Sequence, residues 1–329
     1  MRYRTQPVNF LAHFRPGGDT GTPAALPSVI VPAMKRLAPV LLLLVACPPA
    51  AVKPPPAQGE VPRPKVALVL GGGAARGFAH VGVIRVLEQE KIPIDLVVGT
   101  SVGSLIGAIY AADQNSFDLE WTAFSLEKDD LFDYGLLTAV MGMGLAKGDK
   151  LEAFVRSKVK VQDIEQLKIP FAAVATDLNW GTKVVLDKGS IARAVRASSA
   201  IPGVFQPVQH LGKLLVDGGV VDNIPISVAR AKGADVVVAV DISENVGNTN
   251  ITNLMDVILQ AANIMFALNV EHSKRDADVL VTPKVGDVGM MDFGQKKRCM
   301  EAGIEAARAA VPEIRRAMEA WAAKRGPRS

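Results

Sequence analysis

The sequence predicts an α/β fold whose central sheet is buried on both faces. Short apolar runs rich in β-branched residues alternate along the chain with stretches of helical periodicity. Strands that show no polar alternation are typical of a sheet covered by helices on both sides, because a sheet with one wet face alternates polar and apolar residues. The chain has 329 residues, of which 49% are hydrophobic, so it is long enough to form a substantial core.

The predicted elements follow one another in strand–helix order. The first strand, 65–70, ends at three consecutive glycines and is followed by a helix to residue 91; a second strand, 95–99, precedes an apolar helix over 102–112. Further strands are predicted at 171–176, 183–186, 214–216, 235–241 and 278–282. Further helices are predicted near 150–158, 190–197, 225–232, 252–272 and 298–323. The segment 129–148 interleaves glycines with apolar residues, which is typical of an apolar flap or of a loop that covers the core.

The front of the chain has the organisation of a targeting segment. Lys35 and Arg36 precede an apolar run, 37–46, that is too short to span a bilayer, as in a secretory signal peptide. The run ends in Leu-Val-Ala-Cys, which resembles a bacterial lipobox with Cys47 as the lipidated N-terminus; a buried element that ends in cysteine is the alternative. Seven prolines within 48–64 predict an extended tether.

These features divide the chain into five parts and predict where it resides. The parts are a disordered or untranslated extension over 1–33, a lipoprotein signal peptide over 34–46, a proline-rich tether over 47–64, an α/β domain over 65–287 and a C-terminal helical segment over 288–329 that packs on the domain. We expect a protein of the bacterial cell envelope, held by a lipid anchor at the outer membrane or its periplasmic face.

Charge and cysteine content exclude several classes of partner. The formal net charge is +4, but residues 47–329 contain equal numbers of basic and acidic residues, so the excess lies at the front end. Nucleic acid is therefore not an expected partner. Two cysteines are too few for a disulfide framework or a cysteine-rich zinc module, and neither a metal ion nor a cofactor is expected.

A glycine-rich loop forms the first candidate site. The sequence Gly71-Gly72-Gly73-Ala74-Ala75-Arg76-Gly77 lies between the first strand and the first helix, where backbone N–H groups converge on an anion. A nucleotide pyrophosphate and the oxyanion of an acyl-transfer intermediate both suit this geometry. A dinucleotide site requires an acidic residue at the end of the second strand, whereas Asp95 opens that strand.

The second motif favours acyl transfer. Gly99-Thr100-Ser101-Val102-Gly103 matches G-x-S-x-G at a strand-to-helix junction, the context in which a sharp turn presents a nucleophilic serine. None of His13, His80, His210 and His272 is placed convincingly as the base of a triad. Asp217, at a strand end and followed by Gly218 and Gly219, is either a turn former or the base.

Together these motifs resemble the signature set of the patatin-like phospholipases, in the bacterial branch related to neuropathy target esterase. The set comprises G-G-G-x-x-R-G at 71–77, G-T-S-x-G at 99–103, A-S-x-A-x-P-x-x-F at 197–205, D-G-G at 217–219 and N-x-P at 223–225. The resemblance covers about residues 65–285, with Ala74 in place of a fourth glycine. It implies a three-layer α/β/α sandwich with a mostly parallel sheet and a phospholipase, lysophospholipase or esterase that acts in lipid degradation.

Site roles follow from the same resemblance. It implies that Ser101 is the nucleophile and Asp217 the base of a dyad without histidine, and that amides around Gly72, Gly73 and Ala74 form the oxyanion hole. Arg76 would hold the loop and could also contact a phosphate head group. Three alternatives stay open: a conventional triad that uses His272, a nucleotide-binding protein without hydrolysis, and a non-catalytic scaffold lipoprotein. The expected partners are a lipid or acyl-ester substrate and a membrane surface, and the sequence does not identify a protein partner.

Overall fold

One mixed sheet organises the residues that the computed structural model describes, which are 63–133, 146–243, 247 and 251–325. Its strands are β1 Val66–Leu70, β2 Leu96–Thr100, β3 Phe171–Asp177, β4 Thr182–Leu186, β5 Val208–His210, β6 Lys213–Asp217, β7 Val236–Val240 and β8 Val279–Val281. The strand order is β5-β6-β3-β2-β1-β7-β8, and β4 pairs with β3. Strands β4 and β6 run antiparallel to β3, whereas β1, β2, β3, β7 and β8 are parallel to one another.

Helices of three to thirty residues connect most of these strands and follow the last one. The α-helices are α1 Phe78–Gln89, α2 Val102–Asp113, α3 Ser116–Ser125, α4 Lys128–Leu131, α5 Asp149–Lys158, α6 Ile191–Ser198, α7 Ile226–Ala231, α8 Leu254–Ser273 and α9 Lys296–Arg325. Short 3₁₀ helices occupy Ala74–Gly77, Ile164–Gln166, Gly218–Val220, Lys274–Asp276 and Phe293–Gln295.

Helices cover both faces of the sheet, which confirms the predicted three-layer α/β/α arrangement. Alternate residues of β1 enter two separate apolar cores: Leu68 packs with α1, α2 and α9 on one face, and Val69 packs with α7 on the other. Since both sets of side chains lose contact with water, β1 has no polar residue at any position. This double burial explains the continuous apolar runs in the sequence.

The last helix packs closely against the first. A Cβ atom added to Gly82 of α1 would lie 2.1 Å from the Met300 carbonyl oxygen, and one added to Gly303 would lie 2.0 Å from the Ala79 carbonyl oxygen. The two helix backbones therefore meet at positions where only glycine fits. Cys299 is buried in this contact, and burial raises the pKa of its thiol to about 11.

Sequence and structure agree on most elements and differ at helices α3 and α4, which periodicity did not indicate. Helix α3 carries exposed Phe117 and Trp121 as well as buried Leu119 and Ala123, so apolar residues on both of its faces obscure the helical pattern. Its start is fixed by the side chain of Asn115, which accepts hydrogen bonds from two backbone N–H groups. Strand β5, which was not predicted either, pairs with β6 as a hairpin that turns after His210.

Several predictions concern residues outside the described ranges. The extension over 1–33, the signal peptide, Cys47 and nearly all of the tether precede residue 63, and most of the 129–148 segment lies within 134–145. Within the described ranges, no helix combines the length and the apolar character needed to cross a membrane.

Candidate active site

Ser101 lies at a sharp turn between β2 and α2. Its φ of 55° and ψ of −128° fall where residues with a side chain rarely lie, so the turn is strained. Glycines on both sides make the turn possible: a Cβ on Gly99 would lie 2.4 Å from the Gly103 carbonyl oxygen, and one on Gly103 would lie 2.2 Å from that of Leu70. The G-x-S-x-G spacing therefore has a steric cause.

Neighbouring serines hold the strained turn in place. The Ser101 N–H donates to Ser198 Oγ at 3.0 Å, and Ser198 Oγ in turn donates to the Val174 carbonyl oxygen at 2.6 Å. Ser104 Oγ donates to the Ser101 carbonyl oxygen at 2.6 Å. Ser198 belongs to the A-S-x-A-x-P segment, and no role for its side chain was predicted from the sequence. The structure shows that it ties the serine turn to β3.

Strand register brings Asp217 to the same place. Strand β4 pairs with residues 173–177 of β3 and so occupies one edge of that strand. Strands β2 and β6 therefore share the other edge, where β2 pairs with residues 171–174 and β6 with residues 175–177. Because β2 and β6 run in opposite directions there, their carboxyl ends meet. Thr100 lies opposite Val174 and Asp217 lies opposite the next residue, Ala175. Ser101, which follows Thr100 directly, therefore lies next to Asp217.

The Asp217 carboxylate is fully buried, and burial raises its pKa to about 7. Its Oδ1 accepts a hydrogen bond from the Gly219 N–H at 2.8 Å. Its Oδ2 has no hydrogen bond of regular geometry with any described group, although the Ser101 hydroxyl is close enough to lower the carboxyl pKa. An unpaired carboxylate oxygen thus lies beside the serine hydroxyl, in the loose geometry common before a substrate binds.

Most amides of the glycine loop are already engaged. The N–H groups of four residues donate to the protein: Gly71 to Val240, Gly72 to Asn223, Ala75 to Met290 and Arg76 to Gly73. The amides of Gly73 and Ala74 have no acceptor among the described residues. The prediction that the Gly72 amide is available for an oxyanion is therefore wrong, because Asn223 occupies it, while the other two amides are free to bind an anion.

The side chain of Asn223 holds the glycine-rich loop through two hydrogen bonds to the backbone of Gly72. Its Oδ1 accepts from the Gly72 N–H at 3.2 Å, and its Nδ2 donates to the Gly72 carbonyl oxygen at 3.3 Å. The side chain is fully buried, so both contacts are shielded from water. Asn223 was noticed in the sequence only as part of N-x-P, and its contact with a loop about 150 residues away depends on the fold.

Arg76 stabilises the glycine-rich loop, and its guanidinium is too deeply buried to contact a phosphate head group. Its Nε donates to the Gly73 carbonyl oxygen at 3.2 Å, and a terminal nitrogen donates to Asn263 Oδ1 of α8 at 3.0 Å. Only 1% of its surface is exposed. The expected role in holding the loop agrees with these contacts, whereas the expected contact with a phosphate is wrong because α8 covers the guanidinium. Ala74, at the fourth-glycine position, adopts a φ of 48°.

Helix α8 also fixes the Asp217 side of the site. Asn269 donates from Nδ2 to the carbonyl oxygens of Gly219 and Val220, both at 2.9 Å. Asn263 of the same helix contacts Arg76, so α8 holds both the glycine-rich loop and the segment after Asp217 in place. Sequence analysis predicted the helix but gave neither asparagine a role. Polar residues recurring on an otherwise apolar helix were the available signal.

None of the described histidines forms a hydrogen bond with the side chain of Ser101 or Asp217. His80 is buried with Nε2 2.8 Å from the Gly71 carbonyl oxygen, and burial lowers its pKa to about 4, so it is neutral and donates. His210 lies on β5, where partial burial and Arg193 lower its pKa. His272 is exposed on the last turn of α8. No described histidine hydrogen-bonds to either residue, and His13 precedes the described ranges.

An apolar pocket opens at Ser101. It holds about 580 Å³ of empty space, including its mouth, and its walls come from α1, α2, α4, α5 and the segment after α6. Aromatic rings form part of the wall: Phe132 stacks on Phe205 with centroids 5.0 Å apart and meets Phe293 edge-on at 6.2 Å. Ser101 and Ser199 contribute the polar side chains of the lining. The pocket therefore suits an extended hydrocarbon chain.

A serine on a strained elbow, a buried carboxylate beside it, two unpaired amides and an apolar pocket define a class of site suited to acyl transfer through serine. Residues 68–230 match the family model described as patatin-like phospholipase. The chain belongs to this family, in the branch whose members carry the NTE name. This agrees with the resemblance drawn from the motifs.

Individual relatives support the same placement. An uncharacterised NTE family protein of Mycobacterium tuberculosis is 39% identical over 180 residues, which cover 55% of this chain and 49% of the relative. The lysophospholipase NTE1 of Scheffersomyces stipitis is 29% identical over 274 residues, 73% of this chain and 17% of the relative. The chain thus spans about half the length of the mycobacterial relatives that it matches and a smaller share of the fungal one.

A solved structure supports the fold. VipD from Legionella pneumophila matches with a TM-score of 0.50 and 15% sequence identity, covering 77% of this chain and 67% of that one. At this identity the match concerns the arrangement of strands and helices, not the chemistry of the site.

The buried carboxylate predicts a pH-dependent stability difference. An unfolded Asp ionises near pH 4 whereas Asp217 has a pKa of about 7, so Asp217 makes the folded state progressively less stable between those pH values, by on the order of 4 kcal/mol. We expect the melting temperature of Asp217→Asn minus that of the unmodified protein to become more positive from pH 4.5 to pH 8. Exposed Asp129→Asn is the control. A difference that does not change with pH would show that Asp217 ionises normally.

Proposed function

We propose that the protein is a serine hydrolase of lipid acyl esters, with Ser101 as nucleophile and Asp217 as general base. The main support is the position of Ser101 on its strained turn, beside the unpaired oxygen of a fully buried carboxylate. Family membership supports the same class of reaction, since the matching model describes phospholipases.

Acylation follows from the geometry. Asp217 Oδ2 accepts the Ser101 proton while Ser101 Oγ attacks the ester carbonyl carbon, and the carbonyl oxygen becomes an oxyanion. The free N–H groups of Gly73 and Ala74 donate to that oxyanion, and such donors stabilise the transition state by about 3 kcal/mol each. The C–O bond to the alcohol then breaks, and the alcohol leaves with the proton held by Asp217.

Deacylation uses the same groups in reverse. Asp217 accepts a proton from water, the resulting oxygen attacks the acyl-enzyme carbonyl, and Ser101 recovers the proton as the fatty acid leaves. A base with a pKa of about 7 can both accept and return a proton near neutral pH, which a carboxylate with the usual pKa near 4 does less well.

The pocket supports a lipid as the acyl donor. Its apolar walls begin at Ser101, so an acyl chain can be buried while its ester lies at the nucleophile. The name of the fungal relative, a lysophospholipase, points to phospholipids or lysophospholipids as the first substrates to assay.

The alternatives receive less support from the described contacts. A nucleotide site lacks its acidic residue at the end of the second strand, and Asp95, which opens that strand, is bound to Arg63 at 2.6 Å and to the Val66 N–H at 2.9 Å. A scaffold protein has no use for a strained serine next to an unpaired buried carboxylate. A triad through His272 requires that exposed side chain to reach a carboxylate and serine that it does not contact.

Dyad variants test the proposal directly. Ser101→Ala and Asp217→Asn are each expected to lower ester hydrolysis by on the order of a thousandfold or more, and the double variant should be scarcely worse, because the two residues act as a unit. Hydrolysis of a short-chain ester and labelling by a fluorophosphonate provide the measurements, with Ser157→Ala as control. A folded Asp217→Asn protein with near-normal turnover would remove the aspartate from the mechanism.

Histidine variants distinguish the dyad from a triad. His272→Ala and His210→Ala should cost at most a fewfold in kcat/KM, since neither side chain contacts Ser101 or Asp217. His80→Gln is the appropriate change at the buried position, because it retains a donor for the Gly71 carbonyl oxygen. Circular dichroism checks the folding of each variant. A folded His272→Ala protein as inactive as Ser101→Ala would establish the triad instead.

The proposed cellular setting is a lipid anchor at Cys47 in the bacterial envelope. It is supported by the Leu-Val-Ala-Cys end of the apolar run and by the proline-rich segment that follows. One acyl chain binds membranes only marginally, so stable anchoring requires the several chains of a lipoprotein. Mass spectrometry of the mature protein should find lipid on an N-terminal Cys47, and Cys47→Ala should move the protein out of the membrane fraction. An unmodified N-terminus upstream of Cys47 would contradict this.

A further inference from the structure

The pocket contains a polar side chain whose hydrogen-bonding capacity is unused within the described residues. Ser199 lines the pocket together with Ser101 and is 8% exposed, and its Oγ has no hydrogen-bond partner. Buried hydroxyl groups are normally paired, because leaving one unpaired forfeits its hydrogen bonds to water. An unpaired hydroxyl on the wall of a binding pocket therefore indicates a polar ligand atom.

The backbone holds this hydroxyl on a fixed segment next to the nucleophile. Ser199 is the C-cap of α6, and its N–H donates to the Val195 carbonyl oxygen at 3.0 Å while its carbonyl oxygen accepts from Ile201 at 2.9 Å. The preceding residue, Ser198, binds the Ser101 N–H directly. The Ser199 side chain thus belongs to the immediate surroundings of the reacting ester.

We propose that the Ser199 hydroxyl donates a hydrogen bond to the alkoxy oxygen of the bound ester and so forms the binding subsite for the alcohol portion of the substrate. This inference rests on the proposed function, since it requires an ester at Ser101. No proton is transferred from Ser199 in this role, because the departing alcohol takes the proton held by Asp217.

The alkoxy oxygen is assigned to Ser199 by considering each substituent of the tetrahedral intermediate in turn. Its central carbon carries Ser101 Oγ, the oxyanion, the acyl chain and the alkoxy oxygen. The amides of Gly73 and Ala74 are free for the oxyanion, and the apolar walls take the chain. The alkoxy oxygen is the remaining polar atom and gains negative charge as its bond to carbon breaks. Among the described side chains that line the pocket, Ser199 is the remaining unpaired donor.

Matched oxoester and thioester substrates isolate this contact. A thioester with the same acyl chain and the same alkyl group presents sulfur, a weak acceptor, where the oxoester presents the alkoxy oxygen. Both substrates form the same acyl-enzyme, so deacylation is common to them and kcat/KM compares acylation alone. We expect Ser199→Ala to lower the ratio of oxoester to thioester kcat/KM about fivefold, the usual effect of one uncharged hydrogen bond.

Two further variants make the result decisive. Ser199→Thr keeps a hydroxyl and should restore most of the ratio, and Ser157→Ala, an exposed serine on α5, should leave it at the value of the unmodified protein. If Ser199→Ala lowers both substrates equally, or leaves both unaffected, the subsite proposal is overturned. Failure of the proposed function looks different, because Ser101→Ala would then retain hydrolysis of both substrates.

Discussion

The hydrogen-bond ladder along one edge of β3 sets the separation of the two proposed catalytic side chains. Strands β2 and β6 approach each other end to end on that edge, and their registers differ by one residue of β3, from Val174 to Ala175. A slip by one residue would also turn each side chain to the opposite face of the sheet. The pairing of Ser101 with Asp217 therefore depends on backbone contacts of the core rather than on a flexible loop.

Several features of the site lower the stability of the folded protein. Ser101 and Ala74 have positive φ angles, the Asp217 carboxylate is buried with one oxygen unpaired, and two loop amides are unused. Each feature of this kind costs about 1–3 kcal/mol. Apolar cores on both faces of the sheet, together with the asparagine contacts from α8, offset that cost. A site arranged for charge that develops during a reaction carries such costs in the folded protein.

Sequence alone predicted the parts of the molecule that depend on local pattern. Buried strands leave uninterrupted apolar runs, and the elbow leaves glycines two positions either side of Ser101, so both could be located. Which amides of the glycine loop stay free could not, because Asn223 reaches Gly72 from a distant part of the chain. Nor could the sequence show that Arg76 is kept from a phosphate head group, since the helix that covers its guanidinium lies far along the chain. Contacts between distant side chains depend on packing that no local pattern encodes.

Chemistry and selectivity come from different elements of this fold. The proposed nucleophile and base and the two unpaired amides lie at the ends of β1, β2 and β6, whereas the pocket wall is built largely from the helices beside them. A residue such as Leu131 on α4 or Phe205 after α6 can change in size without disturbing the β3 ladder. For the proposed hydrolase, changes in the wall would therefore alter the length or shape of the bound acyl chain without altering the proposed catalytic groups. The same separation makes the wall the natural target for redesigning the ester selectivity of the proposed reaction.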